Sequence, residues 1–563
     1  MTSNPALLLM LGAIPVPFLR GWVRGAWLVA LPVAGLILLW TTPEGTQAGF
    51  ELFGLAVEPL RVDALSRVFA TAFHVAALLT MVYALHLRDA SQQVAILVYA
   101  GAAIGGTLAG DLLTLFVFWE LTGLASAFLI WTRRTERSYR AGMRYVIAQV
   151  ISGLLMLAGI VERLHAGAGL EFSYIGLDGP GGALILLAIG MKCAFPVLHA
   201  WLQDTYPEAT IVGGVALSAF TTKFAIYTLA RGFPGTEMLI WIGVVMACFP
   251  IFYAVIENDL RRVLSYSMIN QLGFMVVGIG IGGSLGINGA AAHAFADIVF
   301  KGLLFMSMGA VLLRTGTVNG SDLGGLYKSM PQTTALCIVG AASISAFPLF
   351  SGFATKSMIM QAVAEEHRTV AWMLLLFASA GVFHHAGIKI PYFAFFAHDR
   401  GWRVAEAPVN MRVAMAMAAI ICLAIGMGPA WLYDMLPYPV DYVPYTTPHV
   451  VNQLQLLLLA SLAFTLLIRT GLYPPELRSV NLDFDVVYRR VLPGQWNAAL
   501  RGVTQVRTRL GVPLRQRTGR LLEVASGPLR PRGWLGAPWP THVMVWWVAL
   551  LLGVFLLMSM LYS

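Results

Sequence analysis

The sequence predicts an all-α polytopic membrane protein of about 16 transmembrane helices. Hydrophobic residues fill 58% of its 563 positions and charged residues only 12%, against about 25% charged in a soluble domain. Mean hydropathy is +0.74. Apolar runs of roughly 20 residues, the length that crosses a bilayer as a helix, follow one another from end to end and leave no room for a soluble domain.

The first apolar run opens at Pro5, with no basic stretch before it and Arg20 and Arg24 after it, so it reads as a retained span and not a cleaved signal. Residues 42–62, with Glu44, Glu51 and Glu58, read as an amphipathic loop. Spans three to six fall near 63–86, 93–110, 112–131 and 141–162, and the basic RRTERSYR joins the last two. The remaining spans fall near 182–202, 209–230, 236–256, 264–285, 288–313, 334–363, 370–397, 410–433, 452–470 and 542–562. Basic loops follow odd-numbered spans almost without exception, which places both termini outside and the 469–540 loop in the cytoplasm of a cell bounded by this plasma (inner) membrane. Between Arg469 and Arg532 stand twelve Arg and four acids, +8 of the net +9. That concentration marks a membrane-surface segment and excludes nucleic acid as the partner of the basic excess.

A weak internal repeat is present. Lys192 and Lys223 lie 31 residues apart on consecutive spans, and Lys356 and Lys389 lie 33 apart on another consecutive pair. Five spans separate the units, an odd number, so the repeats are inverted in the membrane. The chain then divides into helices 1–3 (1–92), a first inverted repeat (93–231), a second (232–397), two helices (398–475), a basic amphipathic segment (476–540) and a last span (541–563).

Ionisable groups inside these spans are the candidate functional residues, because a charge at the bilayer centre costs about 2.5–3.5 kcal/mol on insertion scales and must face protein or water. Glu120 sits mid-span and is expected to pair with a cation or to hold its proton, with Lys192 its natural partner. Pro196 interrupts the span that carries Lys192, so that span reads as a broken helix lining a cavity. His293, Asp297 and Lys301 stand at i, i+4 and i+8 on one helix face and read as a proton relay. Pro348 and Gly352 mark a second broken helix before Lys356. His384, His385 and Lys389 form an accessory set, read either as relay groups or as an interfacial anchor. Ser265, Ser267, Asn270 and Gln271 are polar enough to hold water between the halves.

Other patterns fail their context. Cys193, Cys248, Cys337 and Cys422 form no CxxC pair, so no disulfide framework, metal site or cluster is expected. Gly278, Gly280 and Gly283 satisfy GxGxxG inside a span with no strand before it. Asp204 and Glu208 read as a loop pair, and no P-loop occurs. No cofactor is expected, and the chain reads as a transporter subunit with no redox centre of its own.

FVFWELTGLASAFLIW, KCAFPVLHAWLQDTYPEA, ENDLRRVLSYSMINQLGFM, HAFADIVFKGLLF and FPLFSGFATK together resemble the antiporter-like subunits shared by Mrp-type cation/proton antiporters and respiratory complex I. LQDTYPEA, TTKFAIY and NLDFDVVYRR are most similar to the Mrp D subunit. The resemblance implies a 14-helix core with two inverted five-helix repeats, broken at helices 7 and 12. It implies Glu120 and Lys192 as the coupling pair, Lys223 as the bridge, His293 and Lys301 as central relay groups and Lys356 as the exit lysine. Asp297 departs from the histidine found in many relatives, and LQD and ATIVGG depart from the usual loop after His199. Trp496, Leu500, Val503, Val506 and Leu510 make an apolar stripe with Arg501, Arg507 and Arg509 largely off it, as in a helix lying on the membrane. Pro513 interrupts it. Such a helix is similar to the lateral helix in the distal antiporter-like subunit of complex I, and would clamp a neighbouring subunit.

The function expected is translocation of protons, sodium or both within a multisubunit Mrp-like antiporter, with other membrane subunits as partners. An ion-pumping subunit of a complex-I-like redox complex and an energising subunit of an inorganic-carbon uptake complex are the alternatives. A scaffold without transport is disfavoured by the charged residues retained in its spans.

Overall fold

The computed structural model describes residues 4–52, 54–477, 481–502, 504 and 541–561. They fall into two compact units, Met1–Asp483 and Phe484–Ser563. The first opens with α1 (Pro5–Gly12) and α2 (Gly21–Thr41). The antiparallel strands β1 (Gly45–Leu52) and β2 (Leu55–Val62) come next, with Gly45 opposite Val62. This corrects the expected amphipathic loop at 42–62. Val57, Leu60 and Val62 are buried, and the Glu58 amide donates to Asp111 Oδ2 at 2.8 Å, so packing and a side-chain acceptor hold an extended segment that helical periodicity does not describe.

After the hairpin come α3 (Ala64–Tyr83), α4 (Ala90–Thr107), α5 (Leu112–Trp131) and α6 (Glu136–His165). Asp63, Asp89, Asp111 and Thr135 stand before them, each accepting a first-turn amide with its side chain. Such caps satisfy donors that lipid leaves bare. Then come α7 (Gly182–Lys192), α8 (Ala200–Thr205), α9 (Ile211–Ala219) and α10 (Thr221–Gly232). The second half comprises α11 (Met238–Ile256), α12 (Leu260–Ile281), α13 (Gly283–Thr315), α14 (Pro331–Ile344), α15 (Ser351–Glu365) and α16 (Thr369–Val382). The chain runs on from α16 through π-helical turns at Phe383–Ile388 and Tyr392–Phe396, with α17 (Lys389–Pro391) between them. The unit closes with α18 (Val409–Met427), α19 (Ala430–Tyr433) and α20 (Thr447–Arg469).

Among the described residues 11 helices are long and apolar enough to cross a membrane. Shorter apolar helices stand at Gly182–Lys192, Pro331–Ile344 and Val543–Phe555. α13 is the axis of the fold and is buried without a gap from Gly286 to Val311. Small residues let its neighbours close in. Gly243 of α11 and Gly273 of α12 face one another, and a methyl group on Gly273 would lie 2.5 Å from the Ala247 amide, a backbone approach that association in lipid favours.

Both expected helix breaks are present and have one geometry. Ala194 and Val197 after α7 have φ of 60° and 74°, and Ala346 and Leu349 after α14 have φ of 56° and 74°. In each the phenylalanine amide reaches five residues back, Phe195 to Gly190 at 2.9 Å and Phe347 to Ala342 at 3.0 Å. Left-handed backbone at residues other than glycine costs of order 1–3 kcal/mol each, so two matched pairs mark a conformation that packing enforces. A third interruption, not read from the sequence, separates α9 from α10 at Phe220.

In the second unit a π-helical turn at Val487–Val491 leads into helix through residue 502. Trp496 and Leu500 are exposed there. Val503, Val506, Arg507, Arg509, Leu510 and Pro513 lie outside the residues whose side chains are described.

Candidate functional site

Lys192, Lys223, Lys356 and Lys389 are buried, and each donates to backbone carbonyls beside a helix end or from a neighbouring helix. Lys192 ends α7, where Nζ bonds the Trp119 carbonyl and Thr122 Oγ1, the latter at 2.9 Å. The ammonium lies 4.2 Å from the centre of the Trp119 ring, a cation–π contact strengthened by desolvation. That ring is fixed in turn, since Trp119 Nε1 donates to Ser152 Oγ and Ser152 to the Ala188 carbonyl. Glu120 does not close on Lys192. Its Oε1 has no hydrogen-bond partner among the described residues and occupies a notch that a Cβ on Gly153 would fill, 1.6 Å away. The expected pair is therefore open here, the lysine having taken neutral oxygens in place of the carboxylate.

Lys223 stands just after the break between α9 and α10. Nζ donates to the Ser218 carbonyl at 2.9 Å and lies 2.6 Å from Asp297 Oδ2. Both side chains are fully buried. Asp297 thus answers Lys223, a pairing the sequence did not reveal because the two are on different helices.

His293, Asp297 and Lys301 lie on one buried helix, as their spacing predicts. His293 Nδ1 meets Thr355 Oγ1 and its Nε2 meets Gln271 Oε1, both at 3.0 Å. Gln271 Nε2 donates to Asn270 Oδ1 at 2.7 Å, and Lys301 Nζ to Ser267 Oγ at 2.8 Å. Ser267 and Gln271, expected to hold water between the halves, touch the charged row directly, and Asn270 is tied in through Gln271.

Lys356 donates to the Ile344 carbonyl, across the second break, at 2.9 Å. It also lines a cavity of about 980 Å³ with Glu365, Asp441, Asn452 and Gln453. Lys389 is 0% exposed. Its Nζ lies 2.7–3.1 Å from the carbonyls of Ala254, Val255 and Glu257 at the end of α11, where the helix dipole favours a cation. Glu476 Oε1 closes the pair at 2.9 Å. His385 is also fully buried, in the π-helical turn, with neither ring nitrogen bonded among the described residues. Turns of this kind often sit at functional sites. His384 packs against Phe464 and Tyr473.

Sequence reasoning also missed the contacts made by the coil after α20. Asp483 takes a hydrogen bond from Tyr266 at 2.8 Å and one from Gln203 at 3.3 Å, and it meets His199 Nε2 at 3.2 Å. Asn481 donates to Glu257 Oε2 at 3.3 Å. Glu476 entered the sequence argument only as an offset to the arginine excess. Asp204 and Glu208 are engaged by Arg144 and by Arg133 with Arg137, as suits a structural pair. No metal-binding cluster occurs among the described residues.

Fold and charged row together define a multi-pass membrane protein with ionisable groups carried through its core. Residues 109–383 match the family described as NADH:quinone oxidoreductase/Mrp antiporter, TM. The A subunit of the Na(+)/H(+) antiporter of Alkalihalophilus pseudofirmus is 28% identical over 424 residues, 65% of this chain and 52% of that protein. The D subunit of the Na(+)/H(+) antiporter of the same organism is 30% identical over 343 residues, 57% of this chain and 68% of that protein. The chain thus spans about half the length of the first relative and two thirds of the second. In fold it is similar to a chain of the Mrp complex from Dietzia sp. DQ12-45-1b, with TM-score 0.78, 23% identity and coverage of 95% of this chain and 65% of that one. The chain belongs to the NADH:quinone oxidoreductase/Mrp antiporter membrane family.

Proposed function

We propose that the chain translocates protons, sodium or both as one subunit of a multisubunit Mrp-like cation/proton antiporter. One observation carries the reading. Lys192, Lys223, Lys301, Lys356 and Lys389 are buried along one core, and among the described residues only Lys223 and Lys389 of these are closed on carboxylates. A static core has little reason to keep uncompensated cations, whereas a carrier of positive charge needs sites whose partners exchange. Glu120 and Lys192 are the coupling pair, Lys223 with Asp297 the bridge, His293 and Lys301 the central relay, and Lys356 the exit at its cavity; Lys389, His384 and His385 are accessory. The relatives named as antiporter subunits support the ion class. Purification of the chain from its own membranes tests the reading: small hydrophobic antiporter subunits are expected beside it, with cation-dependent proton movement in vesicles. Cluster-binding subunits, or a large zinc protein, would assign it instead to a redox complex or to carbon uptake.

The proposed orientation has both termini outside and the 469–540 loop in the cytoplasm of a cell whose plasma membrane holds the complex. Arg501, exposed in its own unit, then reacts as a cysteine variant with an impermeant reagent only from the cytoplasmic side. Labelling from outside contradicts this topology.

A further inference from the structure

The two repeats use their lysines alike. In each, the lysine beside the broken helix, Lys192 or Lys356, has no closed carboxylate among the described residues, while the lysine of the following span has one. For the first repeat that acid is Asp297, contributed by the second repeat. For the second repeat it is Glu476, contributed by the coil after α20. Each repeat's second lysine is thus answered by a carboxylate from further along the chain.

The burial supports a built site. Glu476 and Lys389 side chains are 6% and 0% exposed, and three carbonyls complete the cage around Nζ. Glu257, Tyr473, His384 and His385 are the other ionisable groups that face it. An isolated carboxylate taken out of water to serve as a tether would be expensive, and an exposed coil has cheaper ways to dock.

We propose that Glu476 is a working carboxylate of the ion path, exchanging a proton with the accessory Lys389. The ammonium N–H breaks and an O–H forms on Oε1, so the charged pair becomes a neutral amine and a neutral acid with no net charge moved into the core. The stretch at residues 470–477 is then part of the translocation machinery, and not a linker to the last span.

This inference rests on the relay proposed above, and the test separates the two. The assembled complex is reconstituted in vesicles and its cation-coupled proton transport measured, with subunit content checked. Glu476→Gln is expected to lower transport roughly 100-fold, the scale of losing a positioned proton-transfer group, and Glu476→Asp to retain part of it. Acidification of the wild-type complex is expected to raise a carboxyl C=O band in infrared difference spectra that Glu476→Gln lacks and Glu476→Asp shifts. The neutral double variant Lys389→Met with Glu476→Gln removes both buried charges and is expected to assemble, still without transport. Wild-type transport by that double variant, its failure to assemble, or an unchanged infrared band in Glu476→Gln overturns the assignment. Asp297→Asn is the control. If it loses transport while Glu476→Gln does not, the relay stands and Glu476 is excluded from it; if both transport as wild type, the relay itself is wrong.

Discussion

Asp297→Asn is expected to cut transport by roughly 100-fold in complexes that still assemble, and to reduce their recovery. Among the described residues Asp297 is the carboxylate closed on Lys223, at 2.6 Å with both groups out of water. Removing one member of a buried pair costs about 3–5 kcal/mol, because the charge left behind has no solvent. Lys223→Ala is expected to fail in the same way from the other side. The neutral pair Lys223→Met with Asp297→Asn separates structure from transport: its recovery returns towards wild type, since replacing both members is often neutral, while transport stays lost. Recovered transport in that double variant would make the pair structural. Loss of recovery in all three would say the same.

At the other end of the row, Lys192→Ala is expected to be more severe than Glu120→Gln. The lysine substitution removes a carrier and leaves Thr122, the Trp119 carbonyl and the Trp119 face without their cation. Glu120→Gln removes only the partner that is already open in this structure, so assembly is retained and transport falls. Glu120→Asp keeps the charge on a shorter arm and retains part of the activity. Gly153→Ala supplies an independent probe, because the added methyl claims the space of Glu120 Oε1 and turns the carboxylate away without changing any charge. Transport is expected to drop with normal subunit content. Full transport by Gly153→Ala would mean that the position of Glu120 is unimportant.

Much of this architecture was legible in the chain because bilayer physics leaves few solutions. Runs of about 20 apolar residues must be helices, and Pro196 and Pro348 in such runs announced the two breaks that the matched φ values of Ala194, Val197, Ala346 and Leu349 display. The i, i+4, i+8 spacing put His293, Asp297 and Lys301 on one buried face. What the sequence did not disclose was which groups meet. Lys223 and Asp297 are 74 positions apart and share no helix, and Glu120 gave no sign that Trp119 and Thr122, its own neighbours, would hold Lys192 in its place. The hairpin at Gly45–Val62 was hidden by its mixture of Gly, Glu and apolar residues. Glu476 lay in a basic stretch where charge counts described the surroundings and obscured an acid whose side chain is buried.

The central claim is that charge passes through the buried row in series, so the most direct measurement is cation-coupled proton transport by assembled complexes carrying Lys192→Ala, Lys356→Ala and both together. The two lysines belong to different repeats and each donates to its own carbonyl, so their structural effects are independent. A series path predicts that either single variant abolishes the same transport and that the double is no worse than the singles, with subunit content unchanged. Transport at the wild-type rate in either single variant would contradict it.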